Sequence, residues 1–177
     1  MNKIGIFFGT DTGTTRLMAK KMSRILGDEV ASKPLNINRV SVDDLLQFDS
    51  LILGTPSYGE GIFPGVSTGV QNGSWEEFKS ELSGVDMTDK TVALYGLGNQ
   101  EKYPDHFADA LFLLYELFSI CGATIVGDWS TEGYAFTHSK AVVEDRFVGL
   151  VIDNHTQGLL TNTRLETWLA DVKPKLM

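Results

Sequence analysis

The chain is poor in the residues that staple small proteins or hold metals. Cysteine occurs once in 177 residues, as Cys121. A single thiol excludes an intramolecular disulfide and a cysteine-based metal cluster. It lies in the apolar run LFSICGA, where a small buried side chain is its ordinary role, and six residues on stands Gly127 rather than the arginine of a small-phosphatase loop. The three histidines, His106, His138 and His155, are scattered and never spaced H-x-x-x-H, which fits surface or capping roles better than ligation. No serine sits in a G-x-S-x-G elbow. Bases are outnumbered, 15 Lys and Arg against 23 Asp and Glu for a formal charge of −8. Phosphate chains are bound by clustered Lys and Arg, so a nucleic-acid surface is not expected. No apolar run reaches 18 residues, and that of the opening MNKIGIFFGT is too short for a signal peptide, so no membrane span and a cytoplasmic location are expected.

What is present is an ordinary globular composition, 42% hydrophobic and 21% charged. A chain of this size buries about 70% of its unfolded surface, enough for one self-sufficient domain over residues 1–177. A βα unit takes about 30 residues; five such units leave a surplus of about 27 to be placed. Charge is uneven: residues 1–40 are net +4, residues 41–132 net −12, and residues 133–177 balance.

The pattern alternates strand and helix. Lys3–Phe8 reads as a strand. A helix follows from Thr14, with Leu17, Met18, Met22, Ile25 and Leu26 at helical spacing and Gly27 as its stop. Ala31–Ile37 is a weaker strand, and Ser41 to Asp44 a capping box opening a short helix through Phe48. Ser50–Gly54, Thr91–Leu97, Ala123–Trp129 and Phe147–Ile152 read as strands; Trp75–Leu82, Asp105–Ser119 and Thr161–Val172 read as helices. Between Thr55 and Ser74 runs a loop with five glycines and two prolines. This alternation predicts an α/β fold with a parallel sheet covered on both faces.

The first strand runs into Gly9-Thr10-Asp11-Thr12-Gly13-Thr14-Thr15 and then a helix. A helix N-terminus offers amide N–H groups and the positive end of a dipole, and the threonines add hydroxyl donors. Neither G-x-x-x-x-G-K-[ST] nor G-x-G-x-x-G is present, which disfavours a triphosphate or a dinucleotide. A loop rich in hydroxyls and without a lysine suits one terminal phosphate monoester.

In a doubly wound sheet ligands lie beyond the carboxyl ends of the strands, so the loops after the third and fourth strands should face the same ligand. These are Thr55-Pro56-Ser57-Tyr58-Gly59-Glu60-Gly61 and Gly96-Leu97-Gly98-Asn99-Gln100-Glu101-Lys102-Tyr103. Each offers one tyrosine among small residues, a pair able to sandwich a planar heterocycle.

With these motifs together, the sequence resembles the flavodoxins of the long-chain type. Thr10-Asp11-Thr12-Gly13-Thr14-Thr15 matches the family's phosphate loop T/S-x-T-G-x-T, and Gly96-Leu97-Gly98-Asn99-Gln100 with Tyr103-Pro104 matches its G-x-G-D-Q…Y loop. The segment Gly54-Thr55-Pro56…Gly59-Glu60-Gly61…Pro64-Gly65…Ser74-Trp75-Glu76-Glu77-Phe78 is most like the subgroup that donates electrons to nitrogenase. The resemblance implies a five-stranded parallel sheet of order 2-1-3-4-5 in a three-layer α/β/α sandwich, flavodoxins being a standing example of that order. It implies an insertion at about 131–146 interrupting the fifth strand. The cofactor it implies is FMN, held by Thr10, Asp11, Thr12, Gly13, Thr14, Thr15, Thr55, Pro56, Ser57, Tyr58, Gly59, Gly61, Gly96, Leu97, Gly98, Asn99, Gln100 and Tyr103. Three departures stand out: Tyr58 where many members have Trp, Asn99 in place of Asp, and a less acidic Asp153-Asn154-His155.

By the same resemblance the protein is an electron carrier, not a stand-alone catalyst. Its Gly59–Glu60 peptide is a candidate to turn toward the flavin N5 on electron uptake, a flip that glycine makes cheap. Acids of the −12 segment around the ring would lower the second one-electron potential. The partners implied are a reductase donor and an acceptor such as nitrogenase reductase, docking transiently on an acidic flavin edge, with the carrier a monomer. The competing reading is an FMN-dependent NAD(P)H:quinone oxidoreductase, which would need one flavin face open to a hydride donor. A non-redox module for another phosphorylated ligand is the third.

Overall fold

The computed structural model describes residues 3–9 and 13–177. The chain runs β1 (Ile4–Phe8), α1 (Thr14–Leu26), β2 (Leu35–Asn36), α2 (Val42–Leu46), β3 (Ser50–Thr55), α3 (Trp75–Phe78), β4 (Thr91–Leu97) and α4 (Ala110–Ile120). It continues through β5 (Thr124–Val126), β6 (Trp129–Ser130), β7 (Val142–Val143), β8 (Arg146–Phe147), β9 (Leu150–Ile152), α5 (Asn154–Gln157) and α6 (Thr161–Leu176).

The main sheet is parallel in the order β2-β1-β3-β4-β5, as expected. Alternation along the strands sends side chains to two cores. Ile4, Ile6 and Phe8 of β1 pack with Met18 and Met22 of α1 and Leu165, Trp168 and Val172 of α6. Phe7, Leu51, Leu53, Val92 and Leu94 face the other way, onto Trp75, Phe78, Leu111, Leu114 and Phe118. Helices on both faces thus bury the sheet.

The fifth strand position is filled by two pieces. β5 pairs with the first half of β4, Thr91 opposite Thr124, and β9 with the second half, Tyr95 opposite Leu150. Between them β6, β8 and β7 form a separate antiparallel sheet. Trp129 and Phe147, predicted as parts of the two long strands, pair with each other instead. Glycines set the breaks: Gly127 has φ 86°, and a Cβ on Gly149 would lie 2.1 Å from the Leu94 carbonyl oxygen.

Two other predicted elements shift. α4 begins at Ala110, not Asp105. Residues 105–109 are occupied elsewhere: Phe107 N–H donates to the His138 carbonyl (3.2 Å), Ala108 has φ 53°, and Ser57 Oγ accepts from Ala110 N–H (3.0 Å). The weak second strand shrinks to Leu35–Asn36 plus one bridge from Ala31 to Ile4, because Pro34 has no N–H for the ladder. The capping box forms, with Asp44 Oδ2 accepting from Ser41 N–H at 2.8 Å.

Candidate functional site

The strand order reverses between β1 and β3, and a cavity of about 280 Å³ opens at the carboxyl ends of the strands there. Thr14 of α1 lines it, as do Ser57, Tyr58 and Gly59 after β3, and Leu97, Gly98, Asn99, Lys102 and Tyr103 at the end of β4. Ile152, Asn154 and His155, from β9 and α5, complete the wall.

On the α1 side, Gly13 turns into the helix with φ 88°, a left-handed conformation suited to glycine. Thr15 follows, fully buried, and its carbonyl accepts from the Tyr95 hydroxyl at 2.9 Å. Tyr95 reaches it across β3 only because residue 54 is glycine: a Cβ there would lie 2.0 Å from the ring. Burial pushes the Tyr95 pKa well up, so it stays a neutral donor. Two hydroxyls have no hydrogen-bond partner among the described residues, Thr15 Oγ1 and Ser74 Oγ, and both are buried. Ser74 Oγ lies 2.4 Å from where a Cβ on Gly9 would stand, so the two flank the end of β1 and the start of α1. Trp75 Nε1 and Gly9 N–H both donate to the Gly54 carbonyl, at 2.8 and 3.0 Å, fixing this corner.

The loop after β3 closes as a hairpin, Tyr58 N–H to the Ile62 carbonyl (3.2 Å) and Ile62 N–H to the Tyr58 carbonyl (3.1 Å). Its glycines Gly59 and Gly61 have φ 48° and 87°. Gly61 packs on buried Asp109, whose Cβ would lie 2.2 Å from a Cβ at residue 61. The loop after β4 is tied outward. Gly98 N–H donates to the Ile152 carbonyl (3.0 Å), Gln100 N–H to Asp153 Oδ2 (2.9 Å) and Gln100 Nε2 to Thr156 Oγ1 (2.8 Å). Asn99 Oδ1 accepts from Lys102 N–H at 3.0 Å, an Asx-type turn that carries the chain to Tyr103.

Of the site residues expected from the sequence, Thr14, Ser57, Tyr58, Gly59, Leu97, Gly98, Asn99 and Tyr103 meet in this one cavity. Gly13 lines an adjoining groove with Arg16 and Lys20. Thr55 and Pro56 are buried beneath the loop, the Thr55 hydroxyl donating to the Pro56 carbonyl. Gly96 backs onto Leu111, and Gln100 turns its side chain away to Thr156 and to the amide of Ala135. Thr10, Asp11 and Thr12 lie outside the described residues. Lys102, Ile152, Asn154 and His155 were not foreseen as lining; the carboxyl-end rule applied to the loop after the last strand would have found three of them. The acids of the −12 segment do not reach the wall: among the described residues no Asp or Glu lines it, and Glu60 and Glu101 are exposed beyond it.

A doubly wound α/β protein with a ligand cavity at its switch point is the class these features define. The family model for flavodoxin matches residues 6–168, and the chain belongs to the flavodoxin family. It is 47% identical over 173 residues to a flavodoxin from Klebsiella pneumoniae, covering 98% of each chain. It is 38% identical over 176 residues to a flavodoxin from Synechocystis, covering 99% of each. Among solved structures it is similar to Fusobacterium nucleatum flavodoxin bound to flavin mononucleotide, with TM-score 0.88, 29% identity and full coverage of both chains.

Proposed function

We propose that the protein is a low-potential one-electron carrier that holds FMN non-covalently in this cavity and shuttles electrons between redox enzymes. The observation that carries the reading is that Thr14, Tyr58 and Tyr103, one from each of three separate segments, line one cavity. The chain's own residues fit the cofactor. The buried hydroxyls of Thr15 and Ser74, without a partner among the described residues, suit an anion at the start of α1, where the helix dipole adds its positive end. Residues 10–15 would hold the phosphate, and Tyr58 and Tyr103 would cover the two faces of the ring. Bound there, FMN supplies the one-electron chemistry; the protein positions it and tunes it. Gly59, exposed at the tip of its hairpin, leaves the Gly59–Glu60 peptide free to reorient.

The finer reading is a cytoplasmic, monomeric carrier, a single domain with an insertion at about 131–146, that donates to nitrogenase reductase. Its support is the likeness of segment 54–78 to that subgroup. Exposed Glu60, Glu101 and Asp105 on the two loops offer a transient, salt-sensitive surface to basic partners. Among the described residues no helix is long and apolar enough to cross a membrane.

The test is a titration of apoprotein with FMN. Stoichiometric quenching of flavin fluorescence is expected, with no NAD(P)H consumption by the holoprotein alone and with electron transfer to nitrogenase reductase that falls as salt rises. Absence of FMN binding would refute the reading; NAD(P)H oxidation by the holoprotein alone would favour the oxidoreductase.

A further inference from the structure

A second hollow, a groove of about 400 Å³, opens between α1 and β2 at the end of the sheet. Its apolar surface comes from Phe8, Pro34 and Leu35, and its charge from Arg16 and Lys20 of α1 and from Arg39 beyond β2. Arg16 and Lys20 stand four residues apart, on one face of the helix. None of the three cations takes part in an ion pair among the described residues, in a chain with 23 acids against 15 bases. Both walls are firmly held. Met18, Ala19 and Met22 bury the inner face of α1 completely. Across the groove Ile37 is fully buried, Asn36 Oδ1 accepts from Asn38 N–H (3.2 Å), and Asn38 Nδ2 donates to the Gly73 carbonyl (3.0 Å). Arg39 ends that single 3₁₀ turn, Ile37–Arg39, and is exposed.

We propose that this groove is a docking site for a short, extended acidic segment of a partner protein, separate from the cavity at the switch point. The charge argument comes first. Three like charges gathered around one groove repel each other, and carboxylates laid between them relieve that repulsion. Arginine takes a carboxylate through paired N–H donors, and fixed walls spare the cost of ordering the site. The net charge of −8 disfavours a long polyanion, so the match is to a segment with two or three acids. The apolar surface sets the rest of the pattern. Phe8 is 3% exposed at the bottom, while Leu35 is 47% exposed at the rim. Alternate side chains of an extended chain face opposite ways, so a segment alternating acids with apolar residues can seat the latter on Phe8, Pro34 and Leu35. Its carboxylates then lie within reach of the long side chains of Arg16, Lys20 and Arg39. Pro34 has no N–H for a ladder, so side chains rather than strand addition read the segment.

The experiment titrates the isotope-labelled full chain with the capped peptide Glu-Leu-Glu-Leu-Glu at low ionic strength, with and without saturating FMN, and follows amide shifts by NMR. Shifts are expected at residues 16–20 and 34–39, with the same dissociation constant whether or not FMN is present. Arg16→Gln, Lys20→Gln and Arg39→Gln should each weaken binding about threefold, and the triple variant about thirtyfold. A control triple, Arg24→Gln with Lys79→Gln and Lys175→Gln, removes as much charge outside the groove and should weaken binding by less than about threefold. Equal losses in the two triples would reduce the effect to net charge and overturn the proposal. So would equal binding of Gln-Leu-Gln-Leu-Gln, loss of the peptide on adding FMN, or no binding by the wild type. Tighter binding of inorganic tripolyphosphate would make the occupant a phosphate compound, and a wild-type dimer dissolved by the groove triple would make it a second copy of the chain; either result overturns the proposed partner.

Discussion

The two loops that bring tyrosines to the cavity are held by opposite means. The loop ending at Tyr103 is anchored through side chains to distant elements: Gln100 reaches Thr156 and Ala135, and Asp153 grips its backbone. The loop carrying Tyr58 is closed mainly by its own backbone, a hairpin from Tyr58 to Ile62 with two left-handed glycines. Among the described residues, contacts at its base and back join it to the start of α4, where Ser57 Oγ accepts from Ala110 N–H and Gly61 rests on Asp109. Its tip is open, for a Cβ on Gly59 would meet nothing within 4 Å. One wall of the cavity is therefore fixed by a polar network and the other can adjust at its tip without disturbing the core.

The network should break first. Asp153 is 1% exposed and accepts from four donors on Gln100, His155 and Thr156. Asp153→Ala removes the cap of α5, worth about 1–2 kcal/mol, and orphans buried donors at about 1–3 kcal/mol each. A loss of about 4 kcal/mol in urea unfolding is expected; a loss below about 1 kcal/mol would mean that the loop does not depend on this carboxylate.

Behind the same loop stands Tyr134, whose hydroxyl donates to the Val151 carbonyl and accepts from Trp129 Nε1. Burial pushes its pKa up to about 12, against about 10 in the unfolded chain. The neutral phenol is thus favoured in the fold. Its contribution is complete below pH 10 and is lost as pH rises through about 12, at most about 2.7 kcal/mol for two units. Over that window the wild type should lose about that much more stability than Tyr134→Phe, measured by denaturant unfolding at fixed pH; parallel curves would show that the phenol is not sequestered.

This contrast between the loops was half legible in the sequence. Hydrophobic period and stop signals place β4 at Thr91–Leu97 and end α1 at Gly27, because burial and backbone freedom act locally. The glycines and tyrosines of both loops also mark the cavity, since the carboxyl-end rule depends only on topology. Side-chain direction after a turn is not local. Whether Gln100 faces a ligand or Thr156 depends on α5, 56 residues away, and the start of α4 depends on Ser57 and the segment around His138. Charge misled for the same reason: the −12 count says where acids are in the chain, while the wall is built from Lys102 and His155.

On the adjustable side the effect should be smaller and depend on position. At Gly61 an added Cβ would sit 2.2 Å from Asp109 Cβ with φ 87°. Gly61→Ala should cost about 2 kcal/mol from strain and displaced packing, and weaken FMN binding by shifting Tyr58. Gly59→Ala meets open space and carries only the left-handed penalty, about 1 kcal/mol. Its mark should be on the spacing of the two potentials, because the flip of the Gly59–Glu60 peptide becomes costlier. Equal unfolding losses in the two variants would erase the distinction between the base and the tip of the hairpin.

The smallest change tests the anchored side without loosening it. Asn99 Oδ1 accepts from Lys102 N–H, and a carboxylate oxygen can take the same bond. Asn99→Asp should therefore leave the turn intact and add one negative charge to the cavity wall beside Lys102. In a half-exposed site that charge is worth up to about 1 kcal/mol. The expected result is a preference for reduced FMN about threefold lower than in the wild type, equivalent to about 28 mV in the lower potential, with the unfolding midpoint unchanged. A rise in that potential, or none, would mean that residue 99 senses its own loop more than the cavity.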